Sequence, residues 1–205
     1  MVGLIDTKQA IRHLRKSDPV MASMIKRVGK ITLQLERGRF RMLVRSIIGQ
    51  QISTGAARAI RRRLETLLAP GPLTAKKLCQ FSIAELRSIG LSQQKAGYIL
   101  DLAAKTQNGD VHFRNFTRMA DEEIILQLTK VKGIGRWTAQ MFLIFSMGRL
   151  DVLAYDDLGL RTAIRGEYQL DELPNKTTMC EIAQPWRPYA SIASWYCWRS
   201  LDLSK

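Results

Sequence analysis

A chain of 205 residues, 46% hydrophobic and 24% charged, has an ordinary globular composition and enough length to bury a core without disulfides or a structural metal. Lys and Arg number 32 against 18 Asp and Glu, a net charge of +14 that points to a polyanionic partner and leaves a basic protein with no nucleic acid partner as the alternative. Three scattered cysteines exclude a disulfide framework, and neither a signal-like apolar stretch nor a run of about 18 apolar residues is present, so a cytosolic (or, in a eukaryote, nuclear) protein with no membrane partner is expected.

Nearly every segment has helical period, which predicts an all-α fold. Thr7 is placed to cap a helix through Lys16, and "SDPVMASMIKRVG" sets a Ser17 cap before Pro19, with Gly29 as the stop. "ITLQLE" alternates like a strand. "RFRMLVRSIIGQQ" puts Phe40, Leu43, Val44, Ile47 and Ile48 on one helical face, a tight turn is expected from Gly49 to Ile52, and Ser53 starts a helix that ends at Leu68 before "APGP". Ser82 and Glu85 form a capping box, Gly90 stops that helix, and Ser92 opens another to about Thr106. "DEEIILQL" carries its acids at the positive helix end, and further helices are expected over Arg136–Met147, Asp156–Arg165, Thr178–Gln184 and Trp186–Leu201. With no linker-like stretch, two lobes would have to be built from interleaved segments.

In "LTKVKGIGRWTAQ" a helix ending at Thr129, a glycine-bearing turn and a helix beginning at Arg136 make a helix-hairpin-helix over about residues 121–147. Gly133 and Gly135 permit a bare backbone, and the N–H groups at the second helix's start present its positive dipole end, an arrangement that binds phosphate. A plain αα-hairpin needs the same glycines; Lys132, Thr138 and the net charge favour DNA. Downstream, Asp156 and Asp157 stand at the mouth of a helix. One of them suffices as a cap, and a second carboxylate is suited to stabilising a developing cation or orienting a water, as hydrolysis at a sugar requires. Trp137, Trp186, Tyr189, Trp195, Tyr196 and Trp198 cluster late in the chain; core filling accounts for most of them, and a stacking pocket for a base is the alternative use. His13 and His112 are lone histidines without ligand partners.

The blocks "LVRSIIGQQIS", "IGLSQQKAGYI", "VKGIGRWTAQ", "DVLAYDDLGLR" and "WRPYASIASWYCW" together resemble the helix-hairpin-helix superfamily of DNA glycosylases, and most closely its 3-methyladenine DNA glycosylase II branch, over about Phe40 to Trp198. The resemblance implies one domain over residues 1–205, made of two interleaved helical lobes with the hairpin at the cleft between them. It implies Asp157 as the catalytic residue, with Trp137, Trp198, Met141 and Asp156 in the base pocket. Gln51 corresponds to the side chain that fills the gap left by a flipped base, and Lys132, Gly133, Gly135 and Thr138 to the DNA-binding hairpin. The carbonyls of Thr129, Val131 and Gly133 fall where the family holds a monovalent cation, Na+ or K+.

Bifunctional glycosylase/lyases of the superfamily have a lysine where Trp137 stands, so base removal without strand cleavage is implied. The four-cysteine iron–sulfur loop of some members has no counterpart, because only Cys180 and Cys197 lie in that region. Met141 stands where some members have tyrosine, and Ala190 replaces the arginine of a frequent "WRPYRS" pattern. The implied partner is double-stranded DNA with an alkylated purine, bound by a monomer, with Arg58, Arg61, Arg62 and Lys95 as supporting phosphate contacts. A non-catalytic DNA-binding module and a glycosylase for oxidised or mismatched bases are the rival readings.

Overall fold

In a computed structural model that describes residues 7–203, the helices follow their capping residues. In chain order they are α1 (Lys8–Ser17), α2 (Pro19–Val28), α3 (Arg39–Gly49), α4 (Thr54–Leu68), α5 (Ala75–Leu78), α6 (Ile83–Ser88), α7 (Gln93–Gln107), α8 (Asp121–Thr129), α9 (Arg136–Phe142), α10 (Leu158–Glu167), α11 (Lys176–Ala183) and α12 (Ala190–Leu203). Ser53, Ser82 and Ser92 cap α4, α6 and α7 through their side chains, and Glu85 closes the box at α6. No strand occurs among the described residues. The alternation in "ITLQLE" is nevertheless used: Ile31 and Leu33 are buried while Thr32 and Gln34 are exposed, on an extended segment without a ladder partner.

The chain divides into two compact units. One is drawn from residues up to Leu35 and again from Leu143 onward, the other from Glu36–Phe142, so the interleaving expected from the absence of a linker is real. In the first unit α2 packs on α1 and α12, and α10 on α12, around Met21, Ile25, Ile164, Trp186 and Tyr196. In the second, α7 is the hub, packing on α3, α5 and α6, while α3 and α8 pack on α9. The Phe116 and Phe142 rings meet edge to face at 5.8 Å in its core.

Several boundaries differ from expectation for identifiable reasons. Thr7 makes no side-chain cap, and α2 is capped by Asp18 rather than Ser17, with Pro19 at the first helical position. The short α5 was not anticipated; Thr74 caps it. The expected helix Arg136–Met147 is α-helical only to Phe142 and continues as one π-helical turn over Leu143–Met147. The last long helix is interrupted: residues Gln184–Trp186 form a 3-10 turn, and α12 begins at Ala190.

Asp18 holds the first unit together because its two oxygens do different work. Oδ1 accepts the Val20 and Met21 N–H groups at 2.9 and 3.0 Å, while Oδ2 accepts the Trp186 indole N–H at 2.9 Å and the Tyr168 hydroxyl. Burial, together with that carboxylate, pushes the Tyr168 phenol far above its ordinary pKa. Ser17 Oγ, by contrast, is buried without a partner. Asp18→Ala is expected to cost about 2–4 kcal/mol, since it removes a cap, takes away the acceptor of the Tyr168 hydroxyl and leaves the Trp186 indole N–H only the Tyr168 oxygen at 3.2 Å. Ser17→Ala is expected to change stability by less than about 0.5 kcal/mol, or to raise it. Urea unfolding of the two variants checks the contrast.

Candidate functional site

In the unit formed by Glu36–Phe142, the hairpin is assembled from α8, the six-residue turn 130–135 and α9. Asp121, Glu122 and Glu123 occupy the first turn of α8, where the helix dipole favours them, and Glu123 accepts the Ala120 N–H at 2.7 Å. Past Thr129 the turn is held by Val131 N–H to Leu128 O at 3.0 Å and Ile134 N–H to Val131 O at 3.1 Å. Arg136 opens α9 and pairs with Glu122 through two bonds of 2.8 and 2.7 Å, which fixes the two helices of the hairpin to each other.

The two glycines have different tasks. Gly133 has φ +79°, and a Cβ there would lie 2.0 Å from Cδ2 of Tyr98, whose ring lies on the bare backbone. A Cβ at Gly135 would meet nothing within 4 Å, and the residue is exposed. Internal packing therefore demands the first glycine, and only an outside group brought close to the backbone would demand the second. Lys132 is exposed and its N–H is bonded to Asp101 Oδ2 at 2.8 Å. Burial alone would raise the Asp101 carboxyl, but the Lys105 ammonium and the Lys132 N–H outweigh it and hold it below the usual carboxylate range. Trp137 is 46% exposed, whereas Met141 is buried. Thr138 is only 5% exposed.

Gln51 lies in the turn after α3, exposed, with φ 55°. The Gln50 side chain donates to the Gly133 carbonyl at 2.8 Å and so links this turn to the hairpin. Lys95 does not point outward as a phosphate contact: its Nζ donates to the carbonyls of Ile48 and Gln50. Of the arginines in α4, Arg58 and Arg62 are exposed and Arg61 is half-buried.

The other unit holds the carboxylate. Residues 150–157 approach α10 along the start of α12, to which they are knitted by Val152 N–H to Ser191 Oγ at 2.9 Å and Ser191 N–H to Leu150 O at 2.9 Å, while Arg187, just before that helix, donates to Asp151 at 2.7 Å. Asp157 then caps α10, its Oδ1 accepting the Leu160 N–H at 2.6 Å. The same oxygen accepts the Trp198 indole N–H from α12 at 2.8 Å. The expectation that one aspartate caps and the other is left for chemistry is thus corrected: Asp157 is both the cap and the oriented carboxylate, while Asp156 is exposed.

Two further residues shape this site. Phe145, carried on the π-helical turn, lies 5.6 Å from Trp198 with the rings 33° apart. A π turn adds a residue to the helix and re-aims the side chains it carries, which a 3.6-residue periodicity does not reveal. Gly159 faces the junction itself: a Cβ there would come within 3.2 Å of Asp157 Oδ1 and 3.4 Å of Trp198 Cδ1. A glycine in the first turn of a helix, where any other residue would stabilise the helix better, was the available signal for it.

An all-helical chain with a glycine-bearing hairpin in one unit and a helix-capping aspartate bonded to a tryptophan in the other has the make-up of a helix-hairpin-helix protein. Residues 44–188 match the HhH-GPD superfamily of base excision DNA repair proteins, and the chain belongs to that family. It is 30% identical to the alkylbase DNA glycosidase-like protein mag2 of Schizosaccharomyces pombe, over 95% of this chain and 93% of that protein. It is likewise 30% identical to DNA-3-methyladenine glycosylase 1 of the same yeast, over 94% and 86%. Among solved structures it superposes on the S. pombe 3-methyladenine DNA glycosylase in complex with abasic DNA with a TM-score of 0.85 at 30% identity, covering 96% of this chain and 98% of that one. A DNA-3-methyladenine glycosidase from Bacillus halodurans gives a TM-score of 0.87 at 32% identity, over 96% and 91%.

The different tasks of the glycines are separable by substitution. Gly133→Ala is expected to destabilise the protein by more than about 2 kcal/mol, because a side chain at positive φ is strained and would also displace Tyr98. Gly135→Ala is expected to unfold like wild type and to weaken binding to duplex DNA severalfold. Thermal unfolding and fluorescence anisotropy on the same preparations test both halves.

Proposed function

We propose that the protein is a monofunctional DNA glycosylase that removes alkylated purines, 3-methyladenine and 7-methylguanine among them, from double-stranded DNA and leaves an abasic site. The observation that carries this reading is the double anchoring of Asp157 Oδ1 by the Leu160 N–H and the Trp198 indole. A carboxylate so fixed is oriented before substrate arrives, and preorganised charge stabilises a developing cation without reorganisation cost. The names of the relatives and the match to a base excision repair family support it.

A purine alkylated at N3 or N7 carries positive charge and leaves readily, so no general acid has to protonate it. The C1′–N bond breaks with its electron pair going to the base; Asp157 stabilises the oxocarbenium-like sugar and orients the water whose oxygen then bonds C1′, the proton passing to solvent. Trp198, in tilted contact with Phe145, and the exposed Trp137 are each suited to an aromatic contact with a cationic base, an interaction worth about 0.5–2 kcal/mol. Asp156 and Met141 are further contacts of the base in this reading. With tryptophan at position 137, where the superfamily's lyases place lysine, no Schiff base forms and the strand stays intact.

Gln51 fills the gap left by the flipped nucleotide, and the hairpin residues Lys132, Gly133 and Gly135 contact the backbone, with Thr138 contributing from within the hairpin. The carbonyls of Thr129, Val131 and Gly133 suit a hard monovalent cation. Thr129 lies at a helix end that leaves its carbonyls without intrahelical partners, and the Val131 and Gly133 carbonyls, bonded to Ile134 N–H and Gln50 Nε2, each keep a second lone pair. Such an ion would bridge the hairpin to a phosphate. The reading needs no catalytic cofactor and one copy of the chain, acting where the DNA is, in nucleoid or nucleus; among the described residues no helix is long and apolar enough to cross a membrane.

Asp157→Asn is the deciding variant, because asparagine caps a helix as well as aspartate does and the fold is therefore retained. Release of methylpurines from methylated duplex DNA is expected to fall by about 100-fold or more, with DNA binding kept. Wild type is expected to leave strands unbroken until alkali is added and not to be trapped on DNA by borohydride. Near-normal release by Asp157→Asn would refute the assignment, and strand cleavage without alkali would refute the monofunctional reading.

A further inference from the structure

Helix α3 ends badly. Its last carbonyls have no intrahelical partners, its last turn contains no basic residue, and its closing bond, Gln50 N–H to Ile47 O, is 3.4 Å long. The next residue, Gln51, takes φ 55°, in the left-handed region that residues with a side chain adopt uncommonly. The groups that hold it lie on either side of it. After Gln51, Ser53 caps α4 by accepting the Ala56 N–H at 3.2 Å. Before it, Gln50 is held twice: its side chain donates to the Gly133 carbonyl, and its own carbonyl accepts from Lys95 Nζ at 2.5 Å.

Lys95 reaches across from α7 and also donates to the Ile48 carbonyl at 2.8 Å, so one ammonium gathers two carbonyls at the negative end of the α3 dipole. Its own backbone is fixed, since its N–H is the one that Ser92 accepts in capping α7. The next two positions on that face of α7 hold the hairpin: Tyr98 lies on Gly133, and Asp101 accepts the Lys132 N–H. Three side chains of one helix thus brace the Gln51 turn and the hairpin against a common support. Desolvation lowers the Lys95 pKa, as burying an ammonium among carbonyls without a carboxylate should.

We propose that Lys95 is a positioning residue for Gln51: by binding the Ile48 and Gln50 carbonyls it holds the turn in the conformation that presents the Gln51 side chain for insertion into DNA. This rests on the reading of Gln51 as the side chain that fills the gap left by the flipped base. Lys95 itself touches neither the base nor the sugar. A basic residue counted from the sequence as part of the phosphate-binding charge is thereby spent inside the protein.

The test compares full-length wild type with Lys95→Met, which keeps the chain length and removes the donors. Amide hydrogen exchange in residues 49–52 is expected to accelerate by about tenfold, the loss of charge-assisted bonds, while exchange in α10 stays as in wild type. Unchanged exchange in 49–52 overturns the proposal whatever the protein's activity. Single-turnover release of methylpurines is then measured for wild type, Lys95→Met, Gln51→Ala and the double variant. Lys95→Met is expected to slow release about tenfold in the wild-type background and less than about twofold in the Gln51→Ala background, because the two residues act through one device. Equal losses in both backgrounds overturn the proposal and make Lys95 an independent contact. If wild type releases no methylpurine, the glycosylase reading fails and the exchange comparison still decides the role of Lys95. Should Lys95→Met not fold, Lys95→Gln takes its place in both measurements.

Discussion

Oδ1 of Asp157 receives the Leu160 N–H and the Trp198 indole N–H together, and the surrounding unit is arranged so that both can reach it. The first donor is a helix-start amide that would otherwise be unpaired. The second comes from α12, and the loop leading to Asp157 is tied to the start of that same helix through Ser191 and Ala190 and to Arg187 just before it. Capping is an ordinary structural task, yet a cap anchored a second time becomes a carboxylate with a defined direction. Gly159 keeps the junction tight by leaving out the Cβ that would crowd both partners.

The unit that carries the hairpin solves a different problem. The turn between α8 and α9 buries Val131 and Ile134, and its glycine-bearing part is held in shape from behind. Helix α7 does this with an aromatic ring on Gly133 and a carboxylate on the Lys132 N–H. The Gln50 amide ties the α3 turn to the same place. Gly135, Trp137 and Gln51 are left exposed.

Much of this was legible from residues alone. Ser53, Ser82 and Ser92 announced their helices because a capping hydroxyl acts on amides two or three residues away, within the reach of local sequence. The hairpin turn and the aspartate at the mouth of α10 were readable for the same reason. Asp18 was passed over for Ser17 because both are good caps, and the choice was made by Trp186 and Tyr168, more than 140 positions away. The π turn under Phe145 was invisible because its residues fit an α-helical pattern equally well. Lys95 was read as a phosphate contact from its charge, and packing turned it onto the Ile48 and Gln50 carbonyls.

The sequence by itself determined the helical class, most helix starts, the basic charge and the family, since these depend on local capping, periodicity and motif order. Only the tertiary structure decided that the capping Asp157 is anchored a second time by Trp198, that Gly133 lies under the Tyr98 ring, and that Lys95 closes α3. Each of those depends on a donor, ring or carbonyl supplied by a segment distant in the chain. Hydrogen bonds act over about 3 Å, and no spacing in the sequence states which distant groups will come that close.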